Sequence, residues 1–305
     1  MTTPVLLDDE QPTLPAGSRV ARGTGAATRQ TAEFSLLGPV EARAGGELID
    51  LGAARERCVL AVLLLDANRC VSADQIVERV WGGGRLPRRP RGTVQTYVSF
   101  LRHKLIIVRQ PNGYMISLDE QLVDVHAFRA LIKAARAARR DDKASALFEQ
   151  ALGLWQGEAF GALDTPWLGD VRAILDTERR AAERDLADIG LRQGQHGALL
   201  PRLAAWAARD PLDERLAGQL MLALYRSGRQ ADALAHYERS RRLLVDDLGL
   251  DASDDLQRLR QQILSADPAL ALRAVDPRAG ARSAVCAFTR QHRTRCLQQR
   301  RWPDS

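Results

Sequence analysis

Two stretches thirty-four residues apart open on glycine and repeat one pattern, Gly-Gln-His-Gly-Ala-Leu-Leu from Gly194 and Gly-Arg-Gln-Ala-Asp-Ala-Leu from Gly228. That interval is the period of tetratricopeptide repeats, in which a helix, a glycine turn and a second helix form one unit. A helix pair of this kind cannot cover its own apolar face, so neighbouring pairs stack into an array. The run PLDERLAGQLMLALYRSGRQADALAHYERSRRLL has the expected layout, with Ala231 and Ala233 as small contact residues and an aromatic at Tyr237. DDKASAL, from residue 141, aligns with both copies at a looser interval. From Val123 to about Asp267 the chain is rich in Ala and Leu, with Gly and Pro only at punctuating positions, and an all-helical half is predicted. A plain Ala-rich bundle is the alternative to a stacked array. Trp155, Trp167 and Trp206 are assigned to core and inter-helix packing in preference to a ligand cage.

The first half carries a different pattern. Residues 1–32 have no periodicity and are expected to form a disordered leader. EFSLLGPVEARAGGELIDLG, from Glu33, predicts a small antiparallel sheet turned at Gly45-Gly46. RERCVLAVLLLDANR is too long an apolar run for a strand and predicts a buried helix stopped near Asn68. Ser72 followed by Gln75 has the spacing of a capping box ahead of DQIVERVW, a second helix ended by Gly82-Gly83-Gly84. A third helix is expected to start near Arg91 to Thr93. IIVRQPNGYMISL then gives two apolar strands around a Pro111-Asn112-Gly113 turn.

Charge singles out one segment of this half. The net charge is +6, yet residues 271–305 alone hold eight Arg against two Asp, so the rest of the chain is neutral. Inside that neutral body, residues 31–80 hold five basic and eight acidic side chains, whereas 81–118 hold seven basic and none acidic. Such a concentration is either the footprint of a phosphate-backbone contact or a solvated basic face. The helical wheel bears on the choice. At 100° per residue Val94, Val98, Leu101 and Leu105 form one narrow stripe for the core. Gln95, Thr96, Ser99, Phe100 and His103 then point away, with Arg102 and Lys104 on the flanks. Hydrogen-bonding side chains edged by cations suit a major groove, where the face meets bases and the flanks meet phosphates. Three helices and a hairpin behind a basic loop make a winged-helix arrangement.

The series LGPVEAR, ANRCVSADQIVERVWGGG, RRPRGTVQTYVSFLR and the GY of the hairpin resembles the OmpR-type winged helix of the Streptomyces antibiotic regulatory protein family. DVHAFRALI, LWQGEAF, LMLALYRSGRQADALAHYERSRRLLVDDLGLDAS and QQILSADPAL resemble the bacterial transcriptional activation domain that follows it there. The resemblance implies a mainly α protein, with an N-terminal winged helix-turn-helix carrying a small β-sheet and a β-hairpin wing over 33–118. A tetratricopeptide-like all-α domain over 123–267 and a disordered basic tail over 268–305 would follow. It further implies a transcriptional activator of a secondary-metabolite (antibiotic) gene cluster, bound to promoter direct repeats as a homodimer or tandem pair. The loop between the second and third helices would face RNA polymerase, through its sigma and alpha subunits. Gln95, Thr96, Ser99 and Phe100 are expected at base edges, and Arg88, Arg89, Arg91, Arg102 and Lys104 at phosphates or polymerase. Thr93 and Tyr97 on the helix, with Arg109 and Asn112 on the hairpin, complete the expected DNA-binding set.

The sequence departs from the family pattern twice. Phe100 stands where a polar or basic residue is usual, and either presses on a thymine methyl or packs against the wing. HKL also runs straight into IIV, so either the third helix ends near Arg102 or the wing is pulled close.

Enzyme readings find no parts. The chain has no GxxxxGK[ST], GxSxG or HExxH motif, and its five histidines are scattered. No cofactor is expected, nor a receiver domain. Cys58, Cys70, Cys286 and Cys296 show no CxxC pairing and are read as buried free thiols; Cys286, His292 and Cys296 lack a fourth zinc ligand. Without an apolar run of membrane length or a signal-peptide pattern, a cytoplasmic, nucleoid-associated protein with no membrane partner is expected. Two other functions compete with the activator. A helical-repeat scaffold would show no salt-dependent DNA binding, and a ligand-sensing regulator would melt at a different temperature with its ligand bound.

Overall fold

The computed structural model describes residues 32–271, so the expected leader, all of the expected tail from residue 272 and the Cys286–Cys296 cluster lie outside it. The chain divides into two compact units, one of residues 32–130 with Gly153–Leu175 and the other of Leu131–Leu152 with 176–271.

The first unit opens with an antiparallel sheet in the order β1 (Glu33–Ser35), β2 (Glu41–Ala44), β3 (Glu47–Leu48). Gly45 and Gly46 turn it at φ of 59° and 87°, values that suit residues without a Cβ. Helix α1 (Ala54–Leu65) follows, and seven consecutive residues, Cys58 to Leu64, are buried in it. A helix apolar all round must be enclosed all round. Asn68 stops it at φ 62°, and its side chain clasps Leu118: Nδ2 donates to Leu118 O at 3.0 Å and Oδ1 accepts from Leu118 N at 3.1 Å.

Strand β4 (Val71–Ser72) leads into α2 (Ala73–Trp81), where the expected capping box is present. Ser72 Oγ accepts from Gln75 N at 3.1 Å and Gln75 Oε1 from Ser72 N at 3.0 Å. After α3 (Pro90–Arg102), β5 (Ile107–Gln110) and β6 (Gly113–Ile116) form the hairpin, which joins β4 in a sheet of order β4-β6-β5. Gly113 lies so close to β4 that a Cβ there would overlap Val71 O and stand 2.7 Å from Ser72 Cα.

The same unit takes in the start of helix α4 (Asp124–Ala137) and the segment Gly153–Leu175. Val123 bridges Phe34 in parallel, and the Asp124 carboxylate accepts from Leu36 N at 2.8 Å and Leu37 N at 2.9 Å. From the other side, Gln156 N donates to Leu37 O and Phe160 N to Leu36 O, both at 2.8 Å. Trp155 meets Phe128 edge to face at 5.6 Å, and Arg79 lies over the Trp167 ring at 4.6 Å, so both tryptophans pack as expected.

In the second unit, α5 (Asp141–Gly153), α6 (Pro166–Arg192), α7 (His196–Arg209), α8 (Glu214–Arg226), α9 (Gln230–Leu248) and α10 (Asp254–Leu264) follow one another; the division between the units falls within α4 and α6. Gly194 and Gly228 occupy equivalent turns, both at φ 77°, so the thirty-four-residue repeat is a repeat of backbone geometry. Size complementarity reverses between its copies. Gly190 admits Leu199, whose Cδ1 would stand 2.7 Å from a Cβ at 190, and the equivalent buried pair is Leu224 and Ala233. Ala233 and Tyr237 enter the core, whereas Ala231, expected at the same contact, is exposed. Trp206 packs against this core with Arg202 over its ring at 5.0 Å. Of the two described cysteines, Cys58 is buried as expected and Cys70, in the turn before β4, is exposed.

Candidate nucleic-acid interface

Helix α3 begins at Pro90, earlier than the expected Arg91 to Thr93, because proline at the first helical position sacrifices no hydrogen bond. It ends at Arg102. The Lys104 and Leu105 amides both donate to Leu101 O, at 2.9 and 2.8 Å, and this tight turn returns Leu105 to the core at 2% exposure. The shortened join to the hairpin is thus made by an early helix end. Val94, Val98, Leu101 and Leu105 are buried, as the wheel requires.

The opposite face is open. Gln95, Thr96, Ser99, Arg102 and His103 are exposed. Thr93 Oγ1 and Thr96 Oγ1 donate to Arg89 O and Gly92 O, each at 3.1 Å, which leaves their hydroxyl oxygens free as acceptors. Tyr97 turns back into the unit and stacks on Trp81, with centroids 6.2 Å apart and planes at 19°. Phe100 is half-buried. Its ring packs over Gly52, where a Cβ would come within 2.8 Å of Phe100 Cε1, and Lys104 Nζ caps it at 4.2 Å from the centroid.

Two cations of the basic segment are held by acids from outside it. Arg91 makes a bidentate pair with Asp74 in the first turn of α2, Nε to Oδ1 and Nη2 to Oδ2, both at 2.6 Å. Lys104 Nζ donates to Asp50 O at 2.5 Å and to Asp50 Oδ2 at 2.9 Å. The guanidinium holds Asp74 below the usual carboxylate range, and Lys104, aided by the Gly52 amide, does the same for Asp50. Among the described residues, Arg85, Arg88, Arg89, Arg102 and Arg109 are exposed and make no ion pair. The sequence carries no signal for these pairings, since Asp74 stands seventeen residues before Arg91 and Asp50 fifty-four before Lys104.

Asn112 is exposed at the hairpin tip, where its carbonyl accepts from Ala73 N at 3.3 Å. Between the start of α2, α3 and the hairpin lies a groove of about 470 Å³ lined by Ser72, Asp74, Arg91, Gln95, Arg109 and Asn112 among others. Gln95, Arg109 and Asn112 thus share one groove, and Thr96, Ser99 and Arg102 are exposed along the same helix as Gln95. Tyr97, Phe100 and Lys104 are drawn into packing. The described residues hold no cluster of metal-ligating side chains and no helix long and apolar enough to cross a membrane.

A capped scaffold helix, a helix with an exposed polar face and a sheet-anchored hairpin make a winged-helix domain. Residues 46–117 match the family described as "Transcriptional regulatory protein, C terminal", and 123–264 the "Bacterial transcriptional activator domain". Regulatory protein DnrI of Streptomyces peucetius is 33% identical over 256 residues, which cover 78% of this chain and 94% of DnrI. Regulatory protein AfsR of Streptomyces griseus is 38% identical over 257 residues, 82% of this chain, and the match spans 26% of AfsR's own length. Among solved structures, Mycobacterium tuberculosis EmbR in complex with a low-affinity phosphopeptide superposes with a TM-score of 0.74 at 29% identity, covering 85% of this chain and 70% of that one. The chain belongs to the Streptomyces antibiotic regulatory protein family of transcriptional regulators, with an OmpR-type DNA-binding domain ahead of a bacterial transcriptional activator domain.

Proposed function

We propose that this chain is a sequence-specific transcriptional activator of a secondary-metabolite gene cluster, working in the cytoplasm on nucleoid DNA. Helix α3 lies in the major groove with Gln95, Thr96 and Ser99 at base edges, while Arg102 and Arg109 contact flanking phosphates. The observation that carries this reading is the polar exposed face of α3, edged by cations that no acid neutralises. Base-edge hydrogen bonds supply sequence information and the cations supply affinity. The hairpin, fastened to β4 at Gly113, brings Arg109 and Asn112 to the adjacent backbone or minor groove. Two copies sit head to tail on direct repeats. The loop between α2 and α3, with Arg85 and Leu86 exposed, faces RNA polymerase.

The test is fluorescence anisotropy and footprinting of the full-length protein on intergenic DNA of the gene cluster around its own gene, against scrambled DNA, across a salt series. Protection of spaced direct repeats that survives competitor is expected. Weak, salt-erased binding equal on both DNAs would instead favour a helical-repeat scaffold.

A further inference from the structure

The groove between α2, α3 and the hairpin contains one acid among its lining residues, Asp74, and that acid faces the groove's nearest cation. Both partners are largely exposed, with side chains 66% and 73% accessible, so the pair adds little to stability. Its effect on an approaching polyanion is larger. A phosphate within a Debye length of Arg91, roughly 8–10 Å, meets the Asp74 carboxylate as well, and the pair presents no net charge. Affinity for DNA of any sequence grows with the number of cations that displace condensed counterions. An arginine already neutralised displaces none. Arg109, on the hairpin side of the same groove, has no such partner among the described residues and keeps its full charge.

We propose that Asp74 is a specificity-determining residue that withholds Arg91 from the phosphate backbone and so limits binding to unrelated DNA. The inference rests on the DNA-binding reading above. It reassigns Arg91 from phosphate ligand to ion-pair partner of Asp74, between the first turn of α3 and the first turn of α2. Weak sequence-independent binding matters to a regulator because unrelated sites outnumber its own by orders of magnitude.

The test measures the salt dependence of full-length protein binding to a mixed-sequence duplex, with no cognate site required. Asp74→Asn should steepen the slope of log K against log salt by about 0.9 and tighten binding roughly 5- to 10-fold near 0.1 M salt. Arg91→Ala should keep the wild-type slope, and so should the double variant. Circular dichroism melts accompany each protein, and Asp74→Ser replaces Asp74→Asn if the latter does not fold. An unmoved slope in the Asp74 variants, or a slope flattened by about 0.9 in Arg91→Ala, would overturn the inference while leaving DNA binding intact. Wild-type protein that binds no duplex even at low salt would overturn the DNA-binding reading and this inference with it.

Discussion

Asp124 offers a measurement in which two physical effects compete with opposite signs. Its carboxylate opens α4 and accepts three contacts from the backbone after β1, from Leu36 N at 2.8 and 2.9 Å and from Leu37 N at 2.9 Å. Burial pushes its pKa from 3.8 up to about 6, against the lowering effect of the Leu37, Leu36 and Val125 amides and of His126. A folded-state pKa above the unfolded one means that the folded chain binds the proton more tightly. The stability contributed by that proton is fully present below pH 3.8 and is lost as pH rises through about 6, with no further change above. A gap of about two pH units corresponds to about 3 kcal/mol. The comparison is Asp124→Asn, which stays neutral at every pH. The difference in unfolding free energy, wild type minus variant, should fall by up to about 3 kcal/mol between pH 4 and pH 6.5 and then level off. A carboxyl NMR titration of Asp124 should show a midpoint near 6. A midpoint below 3.8, with a difference that grows with pH, would refute the reasoning and mean that the amide hydrogen bonds outweigh burial.

Three further outcomes are expected. Arg102→Ala should weaken binding to all sequences and reduce the salt slope by about 0.9, the share of one phosphate; an unchanged slope would remove Arg102 from the backbone contacts. Gly113→Ala should force β6 off β4 at a cost of about 1–3 kcal/mol and weaken DNA binding through the displaced hairpin, visible in melting curves and anisotropy together. Arg85→Ala with Leu86→Ala in the exposed loop should spare promoter binding and lower transcript yield in a reconstituted transcription assay, and equal loss of both would place the loop on DNA.

What the sequence reveals of this fold depends on whether the signal is a side chain. The Ser72–Gln75 capping box, the apolar run of α1 and the glycines of the repeat are all side-chain facts, and each element stands where its residues predict. The packing of Gly153–Leu175 into the first unit was not legible. It is made by the backbone bonds of Gln156 and Phe160 to Leu37 and Leu36, and a backbone amide has no sequence signature. Phe100 was illegible for a related reason. The feature that receives its ring is the missing side chain of Gly52, forty-eight residues earlier.

Charge is where reading along the chain fails most instructively. Residues 81–118 contain no acid, and seven cations there invite the conclusion that all seven face an anion. The acids that answer two of them arrive by folding, Asp74 from seventeen residues before Arg91 and Asp50 from fifty-four before Lys104. Both captured cations lie at the ends of α3, one in its first turn and one just past its last, where they fasten the helix to α2 and to the segment after β3. The five that remain fall into two groups: Arg85, Arg88 and Arg89 in the loop, and Arg102 and Arg109 beside the exposed face. A local charge count merges fasteners, loop and face into one patch. Salt slopes separate them, because only a cation that meets a phosphate changes the slope when it is removed.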